Sequence, residues 1–155
     1  MNVDRVDRAI ISELSQDSRL SIRELAVRVH ISRTAAHNRV QRLVAEGVLT
    51  GFVATVDRKK LGLHVTAIVI VKVGDVVWSE LETALAALPY VENVQAVSGD
   101  IDFVLTVSAP DHERLSEVIM RQIHAMPGVA STRSHVVLDE HPGTAPGVLL
   151  DVWPV

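Results

Sequence analysis

Two stretches of this chain carry residue types that could do chemistry. From Ser32 to Arg42 run Arg33, Thr34, His37, Asn38, Arg39, Gln41 and Arg42, with no carboxylate before Glu46. Asparagine can pair with an adenine edge, arginine with guanine or a phosphate, and hydroxyl and imidazole groups with either kind of partner. The second stretch is Ser98-Gly99-Asp100-Ile101-Asp102. A turn containing glycine exposes backbone N–H groups that can hold a carboxylate, and Asp100 or Asp102 can pair with an ammonium. Together those capacities suit the two charged ends of a free amino acid. The plain alternative is a hairpin turn in which Gly99 takes positive φ and an aspartate bonds its own backbone; spacing alone favours that alternative.

Elements must hold these residues in place. Val3, Val6, Ala9, Ile10 and Leu14 recur at helical spacing and predict a first helix over roughly residues 3–15. Ser21-Ile22-Arg23-Glu24 is a capping-box signature: the serine hydroxyl can accept the N3 amide proton while Glu24 reaches back, opening a second helix to about Val29. His30-Ile31 makes a turn, Ser32 is a good N-cap, and a third helix runs to about Glu46 before Gly47 stops it. Two helices joined by about three residues form the connection of a helix-turn-helix.

With successive residues about 100° apart, Ala36, Val40 and Leu43 share one face of the third helix. Thr34, Asn38, Gln41, Arg42 and Ala45 fall opposite, flanked by Arg33, His37 and Arg39. A generic solvated helix mixes lysine with glutamate, so this acid-free face points to double-stranded DNA as partner. Base reading is expected from Arg33, Thr34, His37, Asn38 and Arg42. Arg39, nearer the packed side, is expected to clamp phosphate or brace the motif. Ser21, Arg23 and Ser32, with Arg58, Lys59 and Lys60, are expected to position the DNA backbone.

The charge distribution agrees. The whole chain of 155 residues carries a net −4, but residues 1–60 hold 11 Lys/Arg against 7 Asp/Glu, and the remainder holds 4 against 12. The first third is therefore suited to a polyanion and the rest is not. With no cysteine, disulfides and thiolate metal sites are excluded. No apolar run approaches the roughly 18–20 residues of a membrane helix, and Met1-Asn2-Val3-Asp4-Arg5 lacks the layout of a secretory signal. The expectation is a soluble cytoplasmic protein without membrane partners.

Catalysis finds little footing. Seven histidines, at 30, 37, 64, 112, 124, 135 and 141, make no pair at metal-binding helical spacing in an acidic context. No phosphate loop or nucleophile elbow occurs, and Asp100-x-Asp102 lacks the other oxygen ligands of a calcium loop. No catalytic residue, metal site or cofactor is expected.

Beyond the third helix, Val48 to Val56 reads as a strand, making the helix-turn-helix a winged type, and residues 57–64 as a basic linker. Val65 to Val73 is a β-branched run; Val77, Leu81, Leu85 and Leu88 predict a helix stopped by Pro89. Strands follow at Val91–Val97 and Phe103–Val107, then a helix from Pro110-Asp111 to near Pro127-Gly128, then a strand at Val129–Leu138. The order βαββαβ predicts an α+β, ferredoxin-like domain: four antiparallel strands with two helices on one face. The other face would present Val, Ile and Leu to water, which implies a homodimer through the open sheets. The domains are thus residues 1–56, 57–64 as linker, 65–140, and a tail over 141–155.

Val3 to Ile11, Arg19 to Ala26, Ser32 to Leu43 with Glu46-Gly47-Val48-Leu49-Thr50-Gly51-Phe52, Ser98 to Phe103, and Pro127-Gly128-Val129 with Thr132-Arg133-Ser134 occur in the order and spacing of one family. Over roughly residues 3–140 the chain resembles the Lrp/AsnC, or feast/famine, transcription regulators. The resemblance implies dimers that assemble further, often as four in a ring, an octamer. It also implies a small effector, an amino acid, held between dimers by Ser98, Gly99, Asp100 and Asp102 on one wall and Thr132 and Ser134 on the other. The sequence departs from the pattern at His30, where glycine is usual, at Ala36, where a larger apolar residue is usual, and at Ser134, commonly threonine. Nothing in the resemblance accounts for the tail from His141. Sirohaem decarboxylases resemble the same two-domain architecture, but a haem enzyme has no need of an acid-free helix face. An architectural DNA-binding protein without an effector is the other alternative.

Overall fold

Asp4 and Asp7 open helix α1 (Arg5–Gln16) by capping each other. The Asp7 amide donates to Asp4 Oδ1 at 2.8 Å and the Asp4 amide to Asp7 Oδ2 at 3.1 Å. Ser21 and Glu24 make the same reciprocal cap on α2 (Ile22–Arg28), and Ser32 Oγ accepts the Ala35 amide at 3.1 Å to start α3 (Arg33–Ala45). These three helices bury Ile10, Ile11 and Leu14 of α1, Leu25 and Ala26 of α2, and Ala36, Val40 and Leu43 of α3. Ala36 is fully buried despite its small size.

The turn between α2 and α3 needs a left-handed residue, because the Ile31 amide reaches back to the Ala26 carbonyl at 3.0 Å. His30 supplies it, at φ +55, where a glycine would carry no Cβ penalty. Gly47 does the same after α3 at φ +71.

The structure, a computed structural model, describes residues 3–141, 143–144 and 146–149. It divides into one unit from the N-terminus to Thr55 together with the tail from His141, and a second, Val56–Glu140. Within the first, Pro146–Leu149 forms a 3-10 turn against α1, where Ser12 Oγ donates to the Val148 carbonyl at 3.4 Å. The strand expected over Val48–Val56 does not form. A strand exists only with a partner ladder, and none of the described residues offers one; Phe52, Val53 and Val56 are left exposed.

In the second unit, β1 (Val65–Val73), α4 (Trp78–Ala86), β2 (Val91–Ala96), β3 (Phe103–Ala109), α5 (His112–Glu117) and β4 (Val129–Val136) follow the expected βαββαβ order. The sheet runs β2-β3-β1-β4, antiparallel throughout. Ala67, Val69 and Val71 alternate with Ile68 and Ile70 along β1. The first set is buried with Phe103, Leu105 and Val107 under Leu81 and Leu85 of α4 and Leu115, Val118, Ile119 and Ile123.

Pro127-Gly128 leads into β4. Gly128 stands at φ +95, and a Cβ there would lie 2.5 Å from the Val76 side chain. The helix expected through to Pro127 changes character after Glu117, widening into a π turn over Val118–Ile123. The segment expected as linker folds in turns on this unit, with the His64 amide donating to the Ala109 carbonyl at 3.0 Å.

The open sheet face is less apolar than expected. Cross-strand register sets Ile70 beside Val104 and Ile68 beside Thr106, while Thr66 and Ser108 bond each other at 2.9 Å. Arg133 and His135 of β4 pair with Ile70 and Ile68. Alternation along β1 therefore leaves a compact apolar centre with a polar rim.

Candidate nucleic-acid interface and effector turn

Three buried residues, Ala36, Val40 and Leu43, set the rotation of α3, and this decides what it presents outward. Arg33, Thr34, His37, Asn38 and Gln41 are all exposed, and no side-chain bond engages them among the described residues. Ser32 caps α3 through its oxygen lone pair, so its hydroxyl proton stays available to a phosphate. Ser21 is committed on both counts: it accepts the Glu24 amide at 3.2 Å and donates to Glu24 Oε2 at 2.7 Å. Glu24 is held below the ordinary carboxylate range chiefly by that hydroxyl. Arg23 is exposed beside it.

Arg39 and Arg42 turn back toward α1. Asp7 is fully buried, its Oδ1 taking Arg39 Nη1 at 2.8 Å and its Oδ2 taking Arg42 Nη2 at 2.5 Å. Arg39 Nη1 also reaches Asp4 Oδ2 at 2.6 Å. Burial pushes the Asp7 carboxyl up, but the Arg42 and Arg39 bonds and the Asp4 amide outweigh it and leave the carboxyl below its usual range. Of the two roles open to Arg39, the geometry provides the brace. Arg42 makes its closest bond inside the protein. Arg28 ties α2 to α1 in the same way, 2.8 Å from Glu13.

Asp7 had no place among the sequence-predicted site residues, yet it left a signal. It occupies the helical stripe of Ile10, Ile11 and Leu14, where a carboxylate is costly to bury without partners. Arg58 also finds internal partners, Glu92 at 2.7 Å and Glu140 at 2.6 Å, whereas Lys59 and Lys60 remain exposed.

The candidate effector residues divide. Ser98, Gly99 and Asp100 are exposed in a turn where Gly99 has φ +118. Asp102 is engaged: its Oδ2 accepts the Val73 amide at 2.7 Å, at the register shift that ends β1. Thr132 Oγ1 lies 3.1 Å from His124 Nδ1. Ser134 lines a shallow cleft of about 170 Å³ with His112, Leu115, Ser116, Ile119 and Met120. Phe103 and Thr132 both pair with Val71, one on each side of β1. Phe103, directly after the turn, and Thr132 thus stand about 10 Å apart, two strand spacings, on opposite sides of β1.

The sequence matches the family model for the Lrp/AsnC ligand binding domain over residues 66–145 and the model for a winged helix-turn-helix DNA-binding domain over residues 3–50. The chain belongs to the Lrp/AsnC family. This Lrp/AsnC protein is a transcriptional regulator with a DNA-binding helix-turn-helix and a ligand-binding domain. It is 33% identical over 140 residues to the proline dehydrogenase transcriptional activator of Rhizobium radiobacter, spanning 88% of this chain and 90% of that one. It is 32% identical over 142 residues to the leucine-responsive regulatory protein of Escherichia coli, spanning 90% and 87%.

Among solved structures, LrpC of B. subtilis superposes with a TM-score of 0.84 at 30% identity, over 93% of this chain and 100% of that one. A feast or famine regulatory protein from M. tuberculosis, complexed with L-methionine, does so with a TM-score of 0.85 at 29% identity, over 92% and 96%. No helix among the described residues of the Lrp/AsnC regulator is long and apolar enough to cross a membrane.

Proposed function

We propose that this regulator reads its operator with the outer face of α3 and that a free amino acid, bound between dimers, sets its activity in the cytoplasm. The observation that carries the DNA half is the contrast along one helix. Arg39 and Arg42 are drawn to Asp7, while Arg33, Thr34, His37, Asn38 and Gln41 stand outward without internal partners. Arg33 and Asn38 are assigned to base edges, Thr34 and His37 to base or sugar, and Ser32, Arg23, Lys59 and Lys60 to phosphates.

Dimerisation through the open sheet face, centred on Ile68, Ile70 and Val104, gives the two α3 helices the symmetry of a pseudo-palindromic site. Further assembly of dimers toward an octamer brings the 98–102 turn of one protomer near β4 of another. The separation of the two walls within one chain supports that arrangement, and the L-methionine complex of the M. tuberculosis relative supports an amino acid as the effector. To act, the amino acid must bind two assemblies unequally, and a coupling of about 1–3 kcal/mol corresponds to roughly 5–150-fold in operator affinity.

The test is a titration of the regulator on its own upstream DNA, alone and with each of the twenty amino acids. Saturable binding shifted by one of them is the expected result. Arg33→Ala and Asn38→Ala should each weaken the operator by about 1–3 kcal/mol and relax base preference at one position. Equal loss on unrelated DNA would reassign both to phosphate. Binding indifferent to every amino acid would favour an architectural role, and no binding at low salt would overturn the proposal.

A further inference from the structure

Helix α5 leads into an irregular turn with a definite geometric effect. Between Val118 and Ile123 the backbone widens to π geometry, and the His124 amide donates to the Ile119 carbonyl, five residues back, at 2.8 Å. Such a turn holds one residue more than an α-turn, so the residues after it are rotated by about 100° relative to an unbroken helix. His124, the first residue past the turn, has its Nδ1 3.1 Å from Thr132 Oγ1 on β4. The same turn leaves Gln122 Oε1 buried without a hydrogen-bond partner among the described residues. Single π turns inside helices occur frequently at functional sites.

We infer that His124 is a positioning residue for the effector, fixing which way the Thr132 hydroxyl presents its proton. The inference rests on the reading of Thr132 as an effector contact. A threonine hydroxyl has one proton to give and two lone pairs to accept with. Where Nδ1 carries no proton, Thr132 donates to it, and the oxygen is left to accept from an ammonium. Where Nδ1 carries a proton, the oxygen accepts from it, and the hydroxyl proton is left for a carboxylate. In either tautomer the hydroxyl rotor is set before a ligand arrives, and one end of an amino acid finds a complementary partner. Without the imidazole the hydroxyl turns freely and serves both ends alike. Ser134 lies two residues along β4, on the same face of the strand, and lines the cleft beside Ile119 and Met120. His124 therefore acts on the polar end of a site whose neighbouring cleft is partly apolar.

The experiment is calorimetric titration of the full chain with the twenty free amino acids as probes. The tightest binder is then compared with its carboxamide, blocked at the carboxylate, and its N-acetyl derivative, blocked at the ammonium, on wild type, His124→Leu and His124→Asn. His124→Leu should weaken the amino acid about 3- to 10-fold and shrink the discrimination against one of the two end-blocked analogues. His124→Asn keeps a hydrogen-bonding atom near the place of Nδ1 and should restore both within about 2-fold. Melting temperatures should stay together, because this pair is exposed.

Wild-type values for all three ligands in His124→Leu would overturn the inference and leave the effector reading standing. So would uniform weakening that His124→Asn fails to rescue. Failure of every amino acid to bind the wild type would remove the effector reading itself, and the inference with it.

Discussion

Replacing Asp7 by asparagine is the sharpest test of how α1 and α3 are held together. The side chain keeps its volume in a site with no solvent exposure, but the charge facing two guanidiniums goes. A hydrogen bond to a charged group contributes about 1.5–3 kcal/mol when water is excluded. Arg39 and Arg42 are 31% and 42% exposed, so water replaces part of what each loses, and about 1 kcal/mol per bond remains after that screening. The sum, about 2 kcal/mol, would lower the melting temperature of a unit of this size by roughly 8–15 °C. The amide of asparagine can still accept the Asp4 backbone proton, so the cap is largely kept.

The assay is thermal unfolding of the full chain by calorimetry, in which the transition of the first unit should move and that of the second should not. Arg42→Ala alone should produce a smaller shift in the same transition, and in the double variant the two effects should fall short of additive. A melt within about 2 °C of wild type for Asp7→Asn, or strict additivity, would refute the claim that the ion pair braces the helices.

Three further outcomes are expected from the same geometry. His30→Gly should stabilise the helix-turn-helix by about 0.5–1 kcal/mol, because φ +55 penalises a Cβ, and a urea midpoint at or below wild type would refute this. Asp102→Ala should cost about 1.5 kcal/mol by stranding the Val73 amide, with Asp102→Asn recovering about half. Loss of amino-acid response at unchanged stability would instead show that carboxylate to be free for a ligand. The fold lowers the pKa of Asp7 below its unfolded value, so its stabilisation is complete above about pH 4 and disappears as pH falls through the folded value. Melting temperature followed from about pH 6 to about pH 2.5 should fall steeply only below about pH 4 in wild type, and less in Asp7→Asn.

Much of the architecture was legible because it depends on local rules. Ser21 with Glu24, Ser32 and Gly47 mark helix ends through bonds that span three or four residues, and all of these ends stand where those residues put them. The alternation of Val65–Val73 and the βαββαβ order leave few other ways to cover a sheet, and the observed strand order agrees. The turn at His30 kept its geometry without glycine, since backbone bonds over-determine it.

The features that stayed hidden involve distance. Val48–Val56 has a strand's composition, but a strand also needs a neighbour, and composition does not supply one. The spacing of Leu115, Val118, Ile119 and Ile123 fits an α-helix well enough to conceal the extra residue of the π turn. Periodicity places Arg42 on the outer arc of α3 because it reports where a Cβ points. A guanidinium sits several bonds further on, and its position is decided by where a buried carboxylate waits, in this case Asp7, 35 residues earlier. Caps, turns and apolar spacing are enough to set the elements, their order and the face of α3 that meets solvent. Which arginines on that helix are spent inside the protein is settled only in the folded chain, because charge pairing depends on proximity through space rather than along the sequence.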